Sequence, residues 1–489
     1  MMDMNRRRLF GLAAAGAIAA AGCARSGDSG SGIADAARAG TREIADIVGP
    51  VPPISSFPTV AEMNAFIDRL AVEQHDHVTI TEIGRSRAGQ AIRNVRIGSG
   101  PHQIVVLGSP HCNEPIGLAT TQHLMGRLAA DESLSASLGV TWNIVPLVDP
   151  DSTLLGQGWF GGPFTRTNVA RNFYRPPSEL QAEWTFPMTW RGNPIGTPLP
   201  ETLALMKLID ATEPALVASL HNADYGGGFC YVTGGDADYW SALTGCMLDN
   251  DVPLHRGEPD APGARLLTEG IFAMPTFEQL CDAEAAAGGD PTTGSGGSSG
   301  HYAARYGSAY LVSELPLWTD PRLTDDSPSS MSLPQVTLEA AAIMQEVADL
   351  TTEVLARTAG LLDPANPLLP LVQAFIPAAS AMAAAKRATQ VPDRIATQAE
   401  VATDLYGWPA MVRLRIGGSL DRLLREEAAR TGSPVLQDES TRFGAIFDRW
   451  CVEIERDAPG QLVPLNRLVA IQAATIVTSA ARLRDGRPL

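Results

Sequence analysis

The sequence has no surplus of basic residues. Its 489 residues contain 37 Lys and Arg against 54 Asp and Glu, and the formal net charge is −17. Because nucleic-acid binding proteins neutralise phosphates with Lys and Arg, this balance excludes DNA and RNA as expected partners. An acidic surface keeps a protein soluble and does not by itself indicate a catalytic activity.

Cysteines and long apolar runs are also scarce. There are six cysteines, and they lie at Cys23, Cys112, Cys230, Cys246, Cys281 and Cys451. Their spacing does not show the paired pattern of a zinc finger. Beyond the N-terminus no segment approaches the uninterrupted run of about 20 apolar residues that a transmembrane helix needs. The sequence also lacks an internal repeat of fixed period.

The N-terminal segment has the pattern of an export signal. Three consecutive arginines precede an Ala-rich apolar run that ends at Cys23, and this run is too short for a spanning helix. Arg7, Arg8 and Phe10 resemble a twin-arginine signal, although a plain secretory signal with an extra arginine would look similar. Residues 1–23 are therefore predicted to direct export.

The residues around the end of this signal leave two outcomes open. The segment "AAGC" resembles a lipoprotein cleavage box in which Cys23 becomes lipidated, whereas simple cleavage would release the protein. The next residues, 24–50, begin Gly/Ser-rich and are predicted to form a flexible linker. We therefore expect an exported protein that is either anchored in the cell envelope through lipid on Cys23 or secreted.

The middle of the chain, residues 51–325, alternates strand and helix patterns. The segments "QIVVLGS", "VTWNIVPLV" and "PALVASLHN" are short and almost continuously apolar, which is typical of strands buried on both faces. We predict an α/β domain with a mixed, mostly parallel central sheet flanked by helices. From residue 326 to residue 489 strand signals fade and helical patterns dominate, so a separate C-terminal all-helical region is predicted.

Candidate metal ligands follow two of these strands. His111 and Glu114 share one loop, and His221 closes another buried strand. Zinc prefers imidazole nitrogen and carboxylate oxygen, and a catalytic site keeps one position open for water. In α/β sheets, ligand sites collect beyond the carboxyl ends of the strands, so these side chains are expected to converge. Taken singly, each of them is more often an ordinary polar loop residue or strand-end residue.

A further polar residue stands inside an apolar strand. Glu314 occupies the middle of "AYLVSELPLW", where an unpaired carboxylate would be costly. A glutamate in such a place usually has a partner, a metal or a catalytic role. Because a hydrolytic metal site needs a general base near the attacking water, Glu314 is the candidate for that role.

Six segments in the order of the chain resemble the zinc metallocarboxypeptidases of the carboxypeptidase A type. They lie between about residue 55 and residue 325 and read "EIGRSRAGQAIRNVRIG", "HCNEP", "PLVDPDS", "NVARNF", "SLHNAD" and "GSGGSSGHYAARYGSAYLVSEL". The resemblance implies one zinc ion held by His111, Glu114 and His221. It also implies that Glu314 deprotonates the zinc-bound water and passes the proton to the leaving amine of a peptide substrate.

The same resemblance assigns substrate contacts. Arg171 in "NVARNF" would bind the terminal carboxylate of the peptide, with a structural salt bridge as the alternative, and Arg166 would support the oxyanion. Ser299 falls where the side-chain pocket is usually determined, and this small uncharged residue indicates neither a basic nor a bulky aromatic preference. Ala170 stands where the family has an Asn beside the arginine, and Thr292 stands where it has a Tyr that closes over the substrate. The identity of the substrate is therefore left undetermined.

Three functions are compatible with these features. The first is an exported zinc carboxypeptidase, a hydrolase that removes C-terminal residues from peptides. The second is a zinc amide hydrolase, such as a deacylase, or a cell-wall (peptidoglycan) peptidase, because "HCNEP" also resembles the "HGNE" motif of the succinylglutamate desuccinylase and aspartoacylase group. The third is a non-catalytic, lipid-anchored binding protein. The intact set of two histidines and two glutamates argues against the third, since a decayed site usually loses its base or a ligand.

Overall fold

The structure of the protein, a computed structural model, describes residues 42–74, 76–257, 261 and 263–489. The predicted signal peptide with Cys23 and the linker up to residue 41 lie outside the described residues. Helix α1 occupies 42–48, inside the segment predicted to be a flexible linker. This part of the segment is helical because Ile47 and Val48 pack in the main hydrophobic core.

A mixed β-sheet forms the centre of the fold. The strands are, in chain order, β1 Val78–Arg85, β2 Ala91–Ile97, β3 His102–Gly108, β4 Val140–Val145, β5 Met188–Trp190, β6 Asn193–Ile195, β7 Leu216–Tyr225, β8 Phe229–Val232, β9 Arg265–Thr268, β10 Ile271–Ala273, β11 Ala309–Thr319, β12 Pro328–Ser332, β13 Ile395–Thr397 and β14 Gln461–Leu462. Within the described residues, ten strands build the main sheet in the order β1-β2-β4-β3-β7-β11-β8-β10-β9, with β14 paired to β11. The central strands β4, β3, β7 and β11 are parallel to one another.

Helices flank this sheet and make up most of the last third of the chain. After α1 they are α2 Val60–Glu73, α3 Ile116–Ala130, α4 Glu132–Ser137, α5 Pro150–Gly156, α6 Arg166–Arg171, α7 Pro200–Thr212, α8 Ala237–Leu248, α9 Phe277–Ala286, α10 Ser299–Ala303, α11 Leu333–Arg357, α12 Leu368–Ala388, α13 Gln398–Tyr406, α14 Trp408–Thr431, α15 Pro434–Asp457 and α16 Leu465–Arg484. Helices α2, α11 and α15 begin at capping side chains, whereas α12, α14 and α16 begin without a side-chain cap. In α2, for example, Thr59 and Glu62 form a capping box ahead of a buried apolar stripe.

Both faces of the sheet are covered. Apolar side chains of α2, α3, α8 and α16 share a core with one face, and α7 packs in a second core on the other. Every residue of β4 is buried, which explains why the central strands read as continuous apolar runs rather than as alternating ones. The predicted fold class, a mixed sheet flanked by helices with a helical C-terminal region, is confirmed.

The C-terminal helices pack in two different hydrophobic cores. Helices α11, α12, α14 and α15 form a core of their own, which also takes in Cys112, Ala170, Phe173 and Tyr174 from the sheet domain. Helix α16 instead packs in the main core beside the sheet, and β14 just before it pairs with β11. The domain boundary at residues 325/326 stays a prediction, but the last helix belongs physically to the sheet.

Helix α12 is long and apolar enough to cross a membrane by length and composition alone. Its side chains Leu368, Leu371, Val372, Ala379 and Ala383 are buried in the core of the C-terminal helices. Packing inside a protein therefore already accounts for much of its apolar character, and length with composition is weak evidence for a span.

Candidate metal centre

Three neighbouring parallel strands, β3, β7 and β11, position the four predicted side chains. Strand β3 ends at Gly108, and His111 and Glu114 lie in the loop that leads from it into α3. His221 lies within β7, which continues to Tyr225 and does not close at this histidine as predicted from the sequence. Strand β7 pairs with β3 on one side and β11 on the other. Glu314 of β11 lies directly opposite His221 in the parallel register.

The three candidate ligands meet in a small buried volume. One ligand atom from each of His111, Glu114 and His221 lies within 4.8 Å of the other two. Glu114 Oε2 is 3.0 Å and Glu314 Oε1 is 3.5 Å from His221 Nδ1. All four residues are at most 8% exposed. The structure thus brings together every side chain that the sequence proposed for the metal and the base.

The loop that presents His111 depends on a tight backbone. Ser109 has a positive φ of 49°, and its hydroxyl donates to the carbonyl oxygen of His111 at 3.0 Å. A Cβ on Gly117 would lie 2.7 Å from the backbone nitrogen of Ser109 and 3.0 Å from the Cβ of Leu220. A side chain at position 117 would therefore displace the loop from β7, which explains the glycine at the start of α3.

The electrostatics of the cluster suit a cation. Burial and the nearby Arg175 lower the pKa of His111 well below its usual value, which disfavours the protonated imidazole. Burial disfavours the charged form of His221, but Glu314 and Glu114 outweigh it and raise the pKa of His221 to about 9. Burial also opposes ionisation of Glu114, yet His111, His221 and Arg175 lower the pKa of this carboxyl. The site therefore concentrates negative charge and imidazole nitrogens in a region shielded from water.

Two contacts of the cluster were missed by sequence reasoning. Arg175 Nη1 donates to Glu114 Oε1 at 2.8 Å, and the ring of Trp184 stacks on His111 with centroids 6.0 Å apart. Arg175 leaves Glu114 Oε2 facing His221, so it orients the carboxylate as well as neutralising it. Nothing in the segments around either residue signals these contacts, because Arg175 lies in irregular chain and Trp184 in a short 3₁₀ turn between α6 and β5.

A residue of the last helix joins the strand of His221 to the strand of Glu314. The side-chain amide of Gln472 donates to the carbonyl oxygens of His221, at 2.8 Å, and Ser313, at 3.3 Å. Its oxygen accepts from the hydroxyl of Thr120 in α3 at 2.8 Å. Gln472 is fully buried. In the sequence it appears only as a polar interruption of an apolar run, and its role depends on contacts that no local pattern encodes.

We expect Gln472→Met to lower the free energy of unfolding by about 2 kcal/mol, because it keeps the volume of the side chain but leaves buried polar groups without partners. Chemical denaturation monitored by circular dichroism measures this change. Gln461→Met on β14, where the side chain is exposed, is the control and should change stability by at most about 0.5 kcal/mol. Equal stabilities of the two variants would show that Gln472 does not hold the strands.

The two predicted arginines contact the C-terminal helices rather than each other. Arg171 pairs with Asp448 at 2.5 Å and with Asp421 at 3.7 Å, which favours the structural alternative left open by the sequence. Arg166 is buried, and its guanidinium donates to the carbonyl oxygens of Ala458 at 3.2 Å and Tyr406 at 2.9 Å. Their substrate roles stay predictions, and the observed contacts hold the sheet domain against the helical region.

Ser299 is also occupied by a protein contact. Its hydroxyl and its backbone nitrogen donate to Glu183 Oε1, at 2.7 Å and 3.2 Å, and both residues are fully buried. The side chain of Ser299 is therefore not exposed, and its role in lining a substrate pocket stays a prediction. What the sequence missed is the buried carboxylate of Glu183, which lies far from Ser299 in the chain.

The cysteines described by the structure are all free thiols. Cys112 lies between the candidate ligands in sequence, but its sulfur donates to the carbonyl oxygen of Tyr174 at 3.1 Å. Burial raises the pKa of Cys112 well above its usual value, so the thiolate that a metal would require is disfavoured. Cys112 packs in the core of the C-terminal helices.

Comparisons with known proteins agree with this geometry. A family model for zinc carboxypeptidases matches residues 63–232. The chain is 26% identical over 102 residues to zinc carboxypeptidase A 1 of Anopheles gambiae, covering 20% of this chain and 24% of that protein. It is 29% identical over 100 residues to a zinc carboxypeptidase of Simulium vittatum, covering 19% of this chain and 33% of that protein. The chain thus spans only a quarter to a third of the length of these curated relatives.

Among solved structures, carboxypeptidase A of Helicoverpa armigera is similar to the chain with a TM-score of 0.38 and 15% identity, covering 59% of this chain and 73% of that one. The family match is independent of this comparison and includes all three candidate ligands, whereas Glu314 lies beyond its end. The sequence match to the zinc carboxypeptidase family thus covers residues 63–232, about a third of the chain.

Proposed function

We propose that this protein is a zinc-dependent carboxypeptidase that hydrolyses the C-terminal peptide bond of its substrate. One observation carries the proposal. His111, Glu114 and His221 offer ligand atoms within 4.8 Å of one another, and a fourth side chain, Glu314, stands opposite His221 on the next strand. Two nitrogens, one carboxylate and a neighbouring carboxylate are the minimal parts of a hydrolytic zinc site.

The donors fit zinc in number and kind. His111 Nδ1 is a buried nitrogen without a hydrogen-bond partner among the described residues, and a bound cation would satisfy it. Zinc bound by these residues would act as a Lewis acid on the scissile carbonyl and on the attacking water. We propose that this site binds a single zinc ion.

The protein's own residues supply the proton transfer. Glu314 is 8% exposed and reaches the His221 side of the cluster through Oε1. In the proposed reaction this carboxylate accepts a proton from the attacking water and then donates it to the leaving amine. Arg175 donates to Oε1 of Glu114, which leaves Oε2 of this carboxylate directed at His221.

The substrate and the location of the protein are parts of the proposal that rest on the sequence. A peptide with a free terminal carboxylate is the substrate that the family suggests, and Arg171, Arg166 and Ser299 are its candidate contacts. Residues 1–23 support export, with lipid on Cys23 as one possible anchor. The alternative substrates are an acyl-amino acid and a cell-wall peptide. An activity assay distinguishes them from a peptide with a free terminal carboxylate.

Removal of zinc is expected to abolish hydrolysis. Purified protein should contain about one zinc per chain, lose activity on blocked dipeptides when treated with 1,10-phenanthroline, and regain it when zinc is added back. Amidated dipeptides are the control, since a carboxypeptidase should release little product from them. Absence of bound zinc, or activity that survives chelation, would contradict the proposed function; activity confined to acyl-amino acids or muropeptides would redirect it to an amide hydrolase.

A further inference from the structure

One asparagine contacts both ends of the short segment that begins with Glu114. Asn222 follows His221 in β7, and its backbone N–H donates to Glu114 Oε2 at 3.4 Å. Its side-chain Oδ1 accepts the backbone N–H of Ile116, two residues after Glu114, at 3.0 Å. Asn222 is buried, so water competes little for either contact. A single residue of β7 therefore holds the carboxylate and the backbone of the same loop.

The two faces of β7 explain this placement. Successive side chains of a strand point to opposite faces of the sheet, so the side chain of Asn222 is on the face opposite that of His221. Leu220, on the same face as Asn222, belongs to the main hydrophobic core together with several residues of α3. A Cβ on Gly117, in the first turn of this helix, would lie 3.0 Å from the Cβ of Leu220. The side chain of Asn222 therefore lies on the face of β7 where α3 begins.

Helix α3 needs a hydrogen-bond acceptor from another part of the chain. The first N–H groups of a helix have no partner within that helix, and the residue before α3 is Pro115, which makes no side-chain cap. Asn222 Oδ1 supplies an acceptor for Ile116, the first residue of the helix. Asparagine is among the side chains best suited to accept the N–H groups of a helix N-terminus. The capping side chain thus comes from the strand that carries His221.

We propose that Asn222 is a positioning residue of the metal centre, which fixes Glu114 with Oε2 directed at His221 before a metal binds. Glu114 Oε2 lies 3.0 Å from His221 Nδ1, and Arg175 binds the other carboxylate oxygen. Without the Asn222 side chain, the backbone at Ile116 loses this anchor on β7, and the orientation of Glu114 is less well fixed. Groups that orient metal ligands contribute about 10- to 100-fold to metal affinity. This inference rests on the proposed metal centre.

Zinc affinity, measured on the purified protein by competition with a chromophoric chelator, tests this role. Asn222→Leu keeps the approximate volume of the side chain but removes the acceptor, and it is expected to weaken zinc binding by about 10- to 100-fold. Asn222→Asp keeps an oxygen in the place of Oδ1 and can still accept the N–H of Ile116. It is therefore expected to bind zinc at least about 10-fold more tightly than Asn222→Leu.

Hydrogen exchange at a single amide provides a second measurement, made on the zinc-free protein. The N–H of Ile116 is bound by Asn222 Oδ1, and an amide exchanges slowly while its hydrogen bond is kept. Asn222→Leu should therefore speed exchange at Ile116, whereas Asn222→Asp should leave it slow. NMR of isoleucine-labelled protein follows this amide and shows whether the anchor exists before a metal binds.

Asn143→Leu is the matched control. Asn143 is also a buried asparagine in a central strand, β4. Its side-chain amide donates to Gln103 Oε1 at 3.0 Å, a bond that involves none of the candidate ligands. The zinc affinity of this variant should equal that of the wild type even if its melting temperature falls. A loss of affinity confined to Asn222→Leu therefore reports on the metal centre and not on general stability.

The outcomes separate this inference from the proposed function. Wild-type protein that does not bind zinc would refute both. Zinc binding by the wild type with equal affinity in Asn222→Leu would refute the positioning role alone, and so would equal losses in Asn222→Leu and Asn143→Leu. A loss in Asn222→Asp as large as that in Asn222→Leu would also refute it, because the acceptor oxygen would then make no difference. Should Asn222→Leu fail to fold, Asn222→Ala, which removes the same acceptor, takes its place in each comparison.

Discussion

Glu314→Gln is expected to retain zinc and to lose nearly all turnover. The substitution preserves the shape of the side chain opposite His221 but removes the carboxylate that accepts a proton from the attacking water. General acid–base groups contribute roughly 10²–10⁴-fold to rate, and kcat should fall by that factor. Steady-state kinetics on a blocked dipeptide, together with zinc content by mass spectrometry, measures both quantities.

The same substitution at a second glutamate is the matched control. Glu114 lies 3.0 Å from His221 through Oε2 and is proposed as a ligand, so Glu114→Gln should lower zinc content as well as activity. Because both variants exchange a glutamate for a glutamine, a comparison of their zinc content and activity distinguishes the proposed ligand from the proposed base. Near wild-type turnover in Glu314→Gln would remove this residue from the mechanism, and loss of zinc from it would make Glu314 a ligand instead.

Gly418→Ala is expected to destabilise the protein by about 3 kcal/mol, at the upper end of what overpacking costs. Helix α14 crosses α6 at this residue, and a Cβ there would lie 1.9 Å from the carbonyl oxygen of Ala170 and 2.5 Å from its carbon. Backbone atoms cannot rotate away as a side chain does, so α14 must shift. The gain in helix propensity, about 1 kcal/mol, is too small to offset the clash.

Gly245→Ala in α8 provides the control, because a Cβ at that helical position meets nothing within 4 Å. It should be neutral or stabilising by up to about 1 kcal/mol. Denaturant unfolding of both variants measures the difference. The Gly418 variant should also disturb the metal centre, since Arg415 on the same helix pairs with Asp224 of β7 at 3.0 Å. Unchanged stability in Gly418→Ala would show that α14 and α6 are not in close contact.

Each part of the site that could be predicted from the sequence lies in or just after a segment with a recognisable local pattern. Continuous apolar runs indicate strands buried on both faces, and polar residues at the ends of such runs indicate a site at the sheet edge. His111 and Glu114 follow β3 in a loop, and His221 and Glu314 stand inside β7 and β11. Their convergence follows from parallel pairing of β3, β7 and β11.

The contacts that could not be predicted join distant segments. Arg166 donates to the carbonyl of Ala458, 292 positions away, and Arg171 to Asp448, 277 positions away. Single-sequence patterns report neighbours three or four residues apart in a helix and two apart in a strand, so they say nothing about such pairs. Family resemblance gave these arginines substrate roles, but the helical region of this chain offers them acidic side chains and carbonyl oxygens.

The position of Gln472 has a consequence for biosynthesis. A chain is made from its N-terminus, and Gln472 is added 251 residues after His221, the residue whose carbonyl it binds. A nascent polypeptide that stops before α16 would contain every candidate ligand and the base, yet it would lack the helix whose side chains fill the main core. Firm retention of a metal by these side chains is therefore expected only after α16 has been synthesised.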